Sequence, residues 1–233
     1  MSAVDRSLVA GLSLFADIPP DGIDDALREA RPLRFAKNAV VFEQGQEAGS
    51  FFLLLHGRVR AHKLAPAGEQ VVIRFIAPGE LFGVAMAIGQ SAYPATAIAV
   101  VDSVALAWPS SAWQGLLARH PSLGVQTMQA LGARLQEAQT RLMEISTQEV
   151  ERRIAHALLR LLKQGGRRTP EGILVDFPIS REDIAQMTGT TLHTVSRILS
   201  TWQERGLIVS ARRKVTVRNP AQLARLADPE GAS

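Results

Sequence analysis

Apolar and polar positions change period several times along this chain. Around Ile23 to Ala30 the apolar residues recur at helical spacing. Short β-like runs follow at Val40-Val41-Phe42, Phe51 to Leu55, Arg58 to His62, Val71 to Ile76 and Thr96 to Val101. They are parted by Gln44-Gly45, His56-Gly57, Pro66-Ala67-Gly68 and Pro78-Gly79. Short strands at this spacing, with turn residues between them, predict a compact antiparallel sandwich or barrel. Within Arg58 to His62 the alternation puts Val59 and Ala61 inside and leaves Arg58, Arg60 and His62 in solvent.

From Ser122 the period lengthens. Met128, Leu131, Leu135, Ala138, Leu142 and Ile145 fall at alternating spacings of three and four, in a run with no Pro after position 121 and no Gly beyond position 132. That pattern predicts one long helix bridging two domains, with an a/d seam suited to a parallel dimer; packing on its own domain is the alternative. Val150 to Lys163 predicts a further amphipathic helix, and Gly165-Gly166-Arg167-Arg168-Thr169-Pro170 a loop beyond it. The tail from Asp228 to Ser233 is expected to fray.

Residues Ile179 to Ile208 carry the most specific pattern. Ser180 stands at an N-cap with Asp183 three residues on, and Ile184, Ala185 and Met187 form an apolar stripe that Gly189 ends. Thr191 is placed to cap a second helix, in which Val195, Ile198, Leu199 and Trp202 face inward while His193, Thr194, Ser196 and Arg197 stay outside. This is a helix-turn-helix DNA reader. Arg197 offers a planar fork to guanine O6 and N7, hydroxyls serve several base edges, and helix N-termini favour phosphate. Ser180, Arg181, Thr190 and Thr191 therefore join the four outer residues as DNA-contact candidates. Ile208-Val209-Ser210 and Val215-Thr216-Val217 flank Ala211-Arg212-Arg213-Lys214, a hairpin whose cationic tip, Arg212, Arg213 and Lys214, suits backbone phosphate.

Charge agrees with that reading. From position 147 onward there are 14 Lys and Arg against 9 Asp and Glu, a net of +5, and the whole chain is +4, so residues 1 to 146 carry about −1. A basic surface confined to the C-terminal part is what counterion release from DNA requires. The chain has no cysteine, which excludes disulfides, thiolate-ligated zinc and iron–sulfur clusters. Met1-Ser2-Ala3-Val4-Asp5-Arg6 holds no apolar signal core, and no stretch approaches the roughly 18 apolar residues of a membrane span, so a cytoplasmic protein with no membrane partner is expected. Nor is there a Gly-x-Ser-x-Gly, a His-Glu-x-x-His or a phosphate loop, which sets an enzyme or enzyme-regulatory subunit behind a DNA-binding regulator.

Roll, long helix and winged reader together resemble the Crp/Fnr family, the cyclic-AMP receptor and fumarate–nitrate regulators of bacteria. The resemblance covers nearly the whole chain and is most specific at Ile179 to Ile208 and at the segment from Gly68-Glu69 to Pro78-Gly79-Glu80-Leu81-Phe82-Gly83. It implies an α+β protein in three parts: an effector-sensing antiparallel β-roll of the cyclic-nucleotide-binding jelly-roll type at 1–118, a dimerisation helix at 119–146 and a winged helix-turn-helix at 147–233. It implies a homodimeric, effector-gated transcription factor that binds a palindromic, TTG-like operator in double-stranded DNA and contacts RNA polymerase, as activators of the family do.

Departures from family patterns bear on the effector. Cyclic-AMP binders carry Gly-Glu-Leu at the phosphate-binding turn and Arg-Ser or Arg-Thr a few residues later. Here Gly83 is followed by Val84 and Ala85, and Tyr93 or Pro94 holds the arginine position, so no cation is expected for a buried phosphate and cyclic AMP is disfavoured. Phe82, Val84, Tyr93, Pro94, Ala95 and Thr96, with Leu131 and Leu135 of the long helix, are the expected effector pocket. Tyr93-Pro94-Ala95-Thr96-Ala97 resembles the cysteine-free Dnr/Nnr group, which implies a response to nitric oxide through haem. His56, His62, His120 and His156 are the axial candidates, and each is also readable as an ordinary solvated or capping histidine. A Crp-like regulator with another small-molecule effector, or with none, remains the alternative. Gly189-Thr190-Thr191-Leu192-His193-Thr194-Val195-Ser196-Arg197 also resembles the recognition helices of Nnr-type regulators, with His193 where many relatives have Glu.

Overall fold

A computed structural model describes residues 5–229, so most of the expected fraying tail lies outside the described residues. The chain divides into two compact units, Met1–Gly68 with Ile73–Gln136, and Glu69–Val72 with Glu137–Ser233.

In the first unit, helix α1 (Pro20–Arg28) precedes eight strands, β1 (Arg31–Phe35), β2 (Val40–Phe42), β3 (Ser50–His56), β4 (Val59–Leu64), β5 (Gln70–Ile76), β6 (Leu81–Phe82), β7 (Thr96–Ala99) and β8 (Ser103–Pro109). Helices α2 (Ala112–Arg119) and α3 (Pro121–Thr147) follow. The strands form two four-stranded sheets, in the orders β1-β8-β3-β6 and β2-β7-β4-β5. β3 shows why the sequence there is continuously apolar. Phe52 and Leu54 enter one core with Phe42, Val59, Ile76, Ala97 and Tyr93. Phe51 and Leu53 enter the other with Leu27 and Ala26 of α1 and Trp113 and Leu116 of α2. A strand covered on both faces loses its alternation. The Trp108 indole, stacked on Phe51 at 5.5 Å, donates to the Ala26 carbonyl at 2.7 Å and so fastens α1 to the sheet.

Gly57 makes the β3–β4 turn at φ +94°, where a Cβ would stand 2.6 Å from the Asp102 carbonyl oxygen; only glycine fits there. The expected outward face of β4 is a correction. His62 is only 6 % exposed and Arg58 7 %, while Ala61 is half-buried, so the face expected in solvent is covered.

The second unit holds α4 (Val150–Gly165), β9 (Gly166–Thr169), β10 (Gly172–Val175), α5 (Arg181–Thr188), α6 (Leu192–Glu204), β11 (Ile208–Ala211), β12 (Lys214–Val217) and α7 (Pro220–Ala227). The basic stretch expected as a loop after α4 is strand β9 instead, paired antiparallel with β10 in a sheet ordered β11-β12-β10-β9. Ile154, Leu158 and Leu161 of α4, Ile184 of α5, Leu199 and Trp202 of α6 and Leu223 of α7 are all buried.

Candidate functional site

The reader is built as its residues predict. Ser180 caps α5 by accepting from the Asp183 amide at 3.0 Å, and the Asp183 carboxylate accepts in return from the Ser180 amide at 2.8 Å, a complete capping box. Its hydroxyl also donates to Asp183, so among the DNA-contact candidates Ser180 is committed to its own helix. Gly189 closes α5 at φ +62°, and Thr191 caps α6 by accepting from the Thr194 amide at 3.1 Å. Val195, Ile198, Leu199 and Trp202 are buried. His193 and Arg197 are exposed on the opposite face, with Thr194 and Ser196 half-buried beside them. The Trp202 indole donates to Glu151 at 2.7 Å, which fixes α6 against the start of α4.

The wing is a two-residue hairpin, with Ala211 opposite Lys214 and with Arg213 at φ +59°. Arg212, Arg213 and Lys214 are exposed. Two hydrogen bonds tie this hairpin to the reader: the Ile179 amide donates to the Arg213 carbonyl at 3.1 Å, and the Ser210 amide donates to the side-chain Oε1 of Gln203 on α6 at 2.9 Å. Sequence reasoning missed Thr201 and Arg205, which line one cleft of about 380 Å³ with Thr194, Arg197, Glu149 and Glu151. Their positions four and eight residues after Arg197 put them on its face, a signal available in the periodicity.

On α3 the expected seam is an exposed apolar stripe. Met128 is 72 % exposed, Leu135 62 % and Leu142 64 %, with Ile145 and Ala138 also exposed. Leu131 departs from it, being half-buried and packed on the core of the first unit.

The first unit carries a cavity of about 170 Å³ lined by Phe42, Ala61, Arg74, Ile76, Phe82, Gly83, Val84, Ala85, Ile88, Pro94, Ala95, Leu131 and Arg134. Five expected residues are there: Phe82, Val84, Pro94, Ala95 and Leu131. Three are not. Tyr93 is buried behind the cavity wall, stacked on Phe42 at 3.9 Å with its hydroxyl donating to the Ser50 carbonyl at 2.6 Å. Burial pushes the Tyr93 phenol above its ordinary value of 10.0. The Thr96 hydroxyl accepts from the Gln44 backbone amide at 3.0 Å, and Leu135 lies on the exposed stripe. The expectation that no cation reaches the pocket is also corrected: Arg74 and Arg134 line it, Arg74 paired with Glu80 and Arg134 donating to the Leu81 carbonyl. They arrive from a strand and a helix far from the turn in which the arginine was sought.

The histidines are spread out. His56 is exposed at a turn, His62 is buried on β4, His120 bonds Asp25 at 2.9 Å and His156 lies 3.6 Å from Asp228. The His120 imidazole, and after it Arg119, holds the Asp25 carboxyl below its ordinary 3.8. Among the described residues no histidine lines the cavity and no three His, Asp or Glu side chains gather as metal ligands. A space of about 170 Å³ with no histidine in its lining is on the scale of a cavity of roughly 150 Å³ that takes up a single benzene, so these residues do not fit a haem. No helix among the described residues is long and apolar enough to cross a membrane.

A roll with a cavity and a winged helix-turn-helix on the same chain define a DNA-binding transcription regulator. Residues 32–120 match the cyclic nucleotide-binding domain, and residues 152–226 match the Crp-like helix-turn-helix domain. The cyclic AMP receptor protein of Thermus thermophilus is 31% identical over 217 residues, 93% of this chain and 97% of that protein. The transcriptional activator protein FnrA of Stutzerimonas stutzeri is 27% identical over 89% of this chain and 84% of its own. A solved Crp-family transcriptional regulator from Thermus thermophilus, 30% identical, matches with a TM-score of 0.72 over 84% of this chain and 96% of that one. The chain belongs to the Crp/Fnr family of transcription regulators. Its family and fold are those of regulators, not enzymes.

Proposed function

We propose that this regulator works in the cytoplasm as a homodimer that reads a palindromic, TTG-like operator and contacts RNA polymerase as an activator, its grip on DNA set by a small effector in the roll cavity. The observation that carries this reading is the outer face of α6: His193 and Arg197 are exposed beside Thr194 and Ser196, while its inner face is fully buried. In this reading residues 1–118 sense, 119–146 dimerise and 147–233 bind DNA. Arg197 reads guanine in each half-site; Arg181, Thr190, Thr191, His193, Thr194 and Ser196 complete the base and phosphate contacts, and Arg212, Arg213 and Lys214 rest on phosphate. Met128, Leu135, Ala138, Leu142 and Ile145 meet their copies across the two-fold axis, which sets two readers about one DNA turn apart.

For the effector, the apolar walls of Phe42, Phe82, Val84, Ile88 and Pro94 favour a small, mainly apolar molecule over cyclic AMP. Tyr93 and Pro94 leave the turn without its arginine, and the carboxylate of Glu80 already faces Arg74. Nitric oxide sensing rests only on the resemblance of Tyr93 to Ala97 and of Gly189 to Arg197 to the Dnr/Nnr group. Selection of duplexes from a randomised library tests the DNA reading: enrichment of a palindrome supports it, and no enrichment ends it. Calorimetry with cyclic AMP, and an absorption spectrum after anaerobic purification with haem supplied, test the effector. Micromolar cyclic AMP binding that tightens operator binding overturns the apolar reading, and a stoichiometric haem band reinstates the nitric oxide one.

A further inference from the structure

The turn between α5 and α6 decides where the reader's first residues point, and one side chain from a third helix holds it. Arg153, in the first turns of α4, donates through Nε to the Thr188 carbonyl at 3.0 Å and through Nη2 toward the Gly189 carbonyl at 3.5 Å. Thr188 is the last residue of α5, and Gly189 is its cap. The other nitrogen, Nη1, donates to the Gln148 carbonyl at 3.0 Å and the Ile145 carbonyl at 3.4 Å, at the end of α3. Helix C-termini leave carbonyls without intrahelical donors and carry the negative end of the helix dipole. A single planar guanidinium therefore serves two helix ends at once, which a lysine ammonium, a compact charge without the fork, does less well.

Two further contacts make the end of α3 part of the same assembly. Glu144 of α3, buried, accepts from Arg160 of α4 at 2.6 and 3.0 Å, a fork-to-fork pair. Ile145 reaches within 3.9 Å of where a Cβ on Gly189 would stand, so α3 touches the turn by packing as well as through Arg153.

We propose that Arg153 is a positioning residue for DNA reading: it fixes the turn Thr188-Gly189-Thr190, and with it the N-terminus of α6, in a register set by the end of α3. The inference rests on α6 being the reader. It predicts that the set of α3 reaches the DNA-reading residues through four backbone carbonyls and one side chain, with Arg153 itself touching no DNA.

Hydrogen exchange on the full-length protein without DNA tests the positioning directly. In Arg153→Gln, exchange at residues 190–196 should rise at least about tenfold, the scale of one or two lost charge-assisted hydrogen bonds, while β11, β12 and α7 keep their protection. Affinity for the duplex that the wild-type protein enriches from a randomised library should fall about ten- to a hundredfold, and affinity for poly(dI-dC) should hold. Arg153→Lys should recover only part of both losses, and it replaces Arg153→Gln if that variant fails to fold. Unchanged exchange at 190–196, or a rise spread evenly over residues 137–229, overturns the proposal. Full rescue by Lys overturns the two-ended fork. Should the wild-type protein enrich no duplex, the DNA reading fails by itself, and the exchange measurement still decides whether Arg153 holds the turn.

Discussion

Helices α3 and α6 are both amphipathic, and each leaves one face in solvent, but the faces differ in kind. The outer side of α6 presents Arg197, His193 and hydroxyls, while that of α3 presents Met128, Leu135, Leu142 and Ile145. Exposed polar side chains are satisfied by water and need no partner to be stable. A stripe of large apolar residues on one helix is not, and such a face marks an interaction surface. On the proposed reading the two helices take different company: base edges and phosphates for α6, and a second copy of α3 for α3.

The strongest way to break that contrast is a charge in the stripe. In Leu135→Glu a dimer would bury the carboxylate twice, at a cost on the order of several kcal/mol. Sedimentation should show monomers with intact circular dichroism, and binding to a full palindrome should be lost. An unchanged dimer would remove the stripe from its role. Next in size is Arg197→Ala, expected to cost about 1 to 3 kcal/mol per half-site and to relax preference at one base position. If the variant binds the selected duplex as tightly as the parent, Arg197 is not a base reader.

Replacing Arg212, Arg213 and Lys214 together by Ala sharpens the comparison within the second unit. It should weaken all duplexes alike and flatten the dependence of log K on log salt by up to about three units, where a loss confined to one sequence would point to base reading by the wing. The smallest effect belongs to Asp25 of α1, which is part of neither face. Its carboxyl sits below the ordinary 3.8 because His120 and then Arg119 bond its charged form. A depressed acid contributes stability that is complete above 3.8 and is lost as pH falls through the lower folded-state value. Asp25→Asn should thus lower the melting temperature slightly at pH 7 and not at about pH 2, with dimerisation and DNA affinity unaltered. A melting deficit that persists in acid would mean packing, not charge, was lost.

Much of the second unit was legible because its signals are local. The capping box at Ser180 and Asp183, the Gly189 stop, the Thr191 cap and the spacing from Val195 to Trp202 are short-range rules that the fold leaves untouched. The roll was less legible. β8 and β1 went unread, since Ser103 to Pro109 is apolar on both faces and Arg31 to Phe35 is almost wholly exposed, so neither shows a period of two. β9 was read as a loop because Gly166-Arg167-Arg168-Thr169 has no apolar face, and it is a strand only by pairing with β10.

The sequence by itself determined the reader, the wing, the apolar stripe and the absence of thiol chemistry, because helix periodicity, caps and composition act within a few residues. Tertiary structure alone decided the cavity. Arg74 from β5 and Arg134 from α3 meet Phe82 and Pro94 there, Tyr93 is drawn behind Phe42, and His62 is buried where alternation put it in solvent. Which side chains share a space depends on how strands distant in sequence pair and which faces become covered, and no local pattern encodes that.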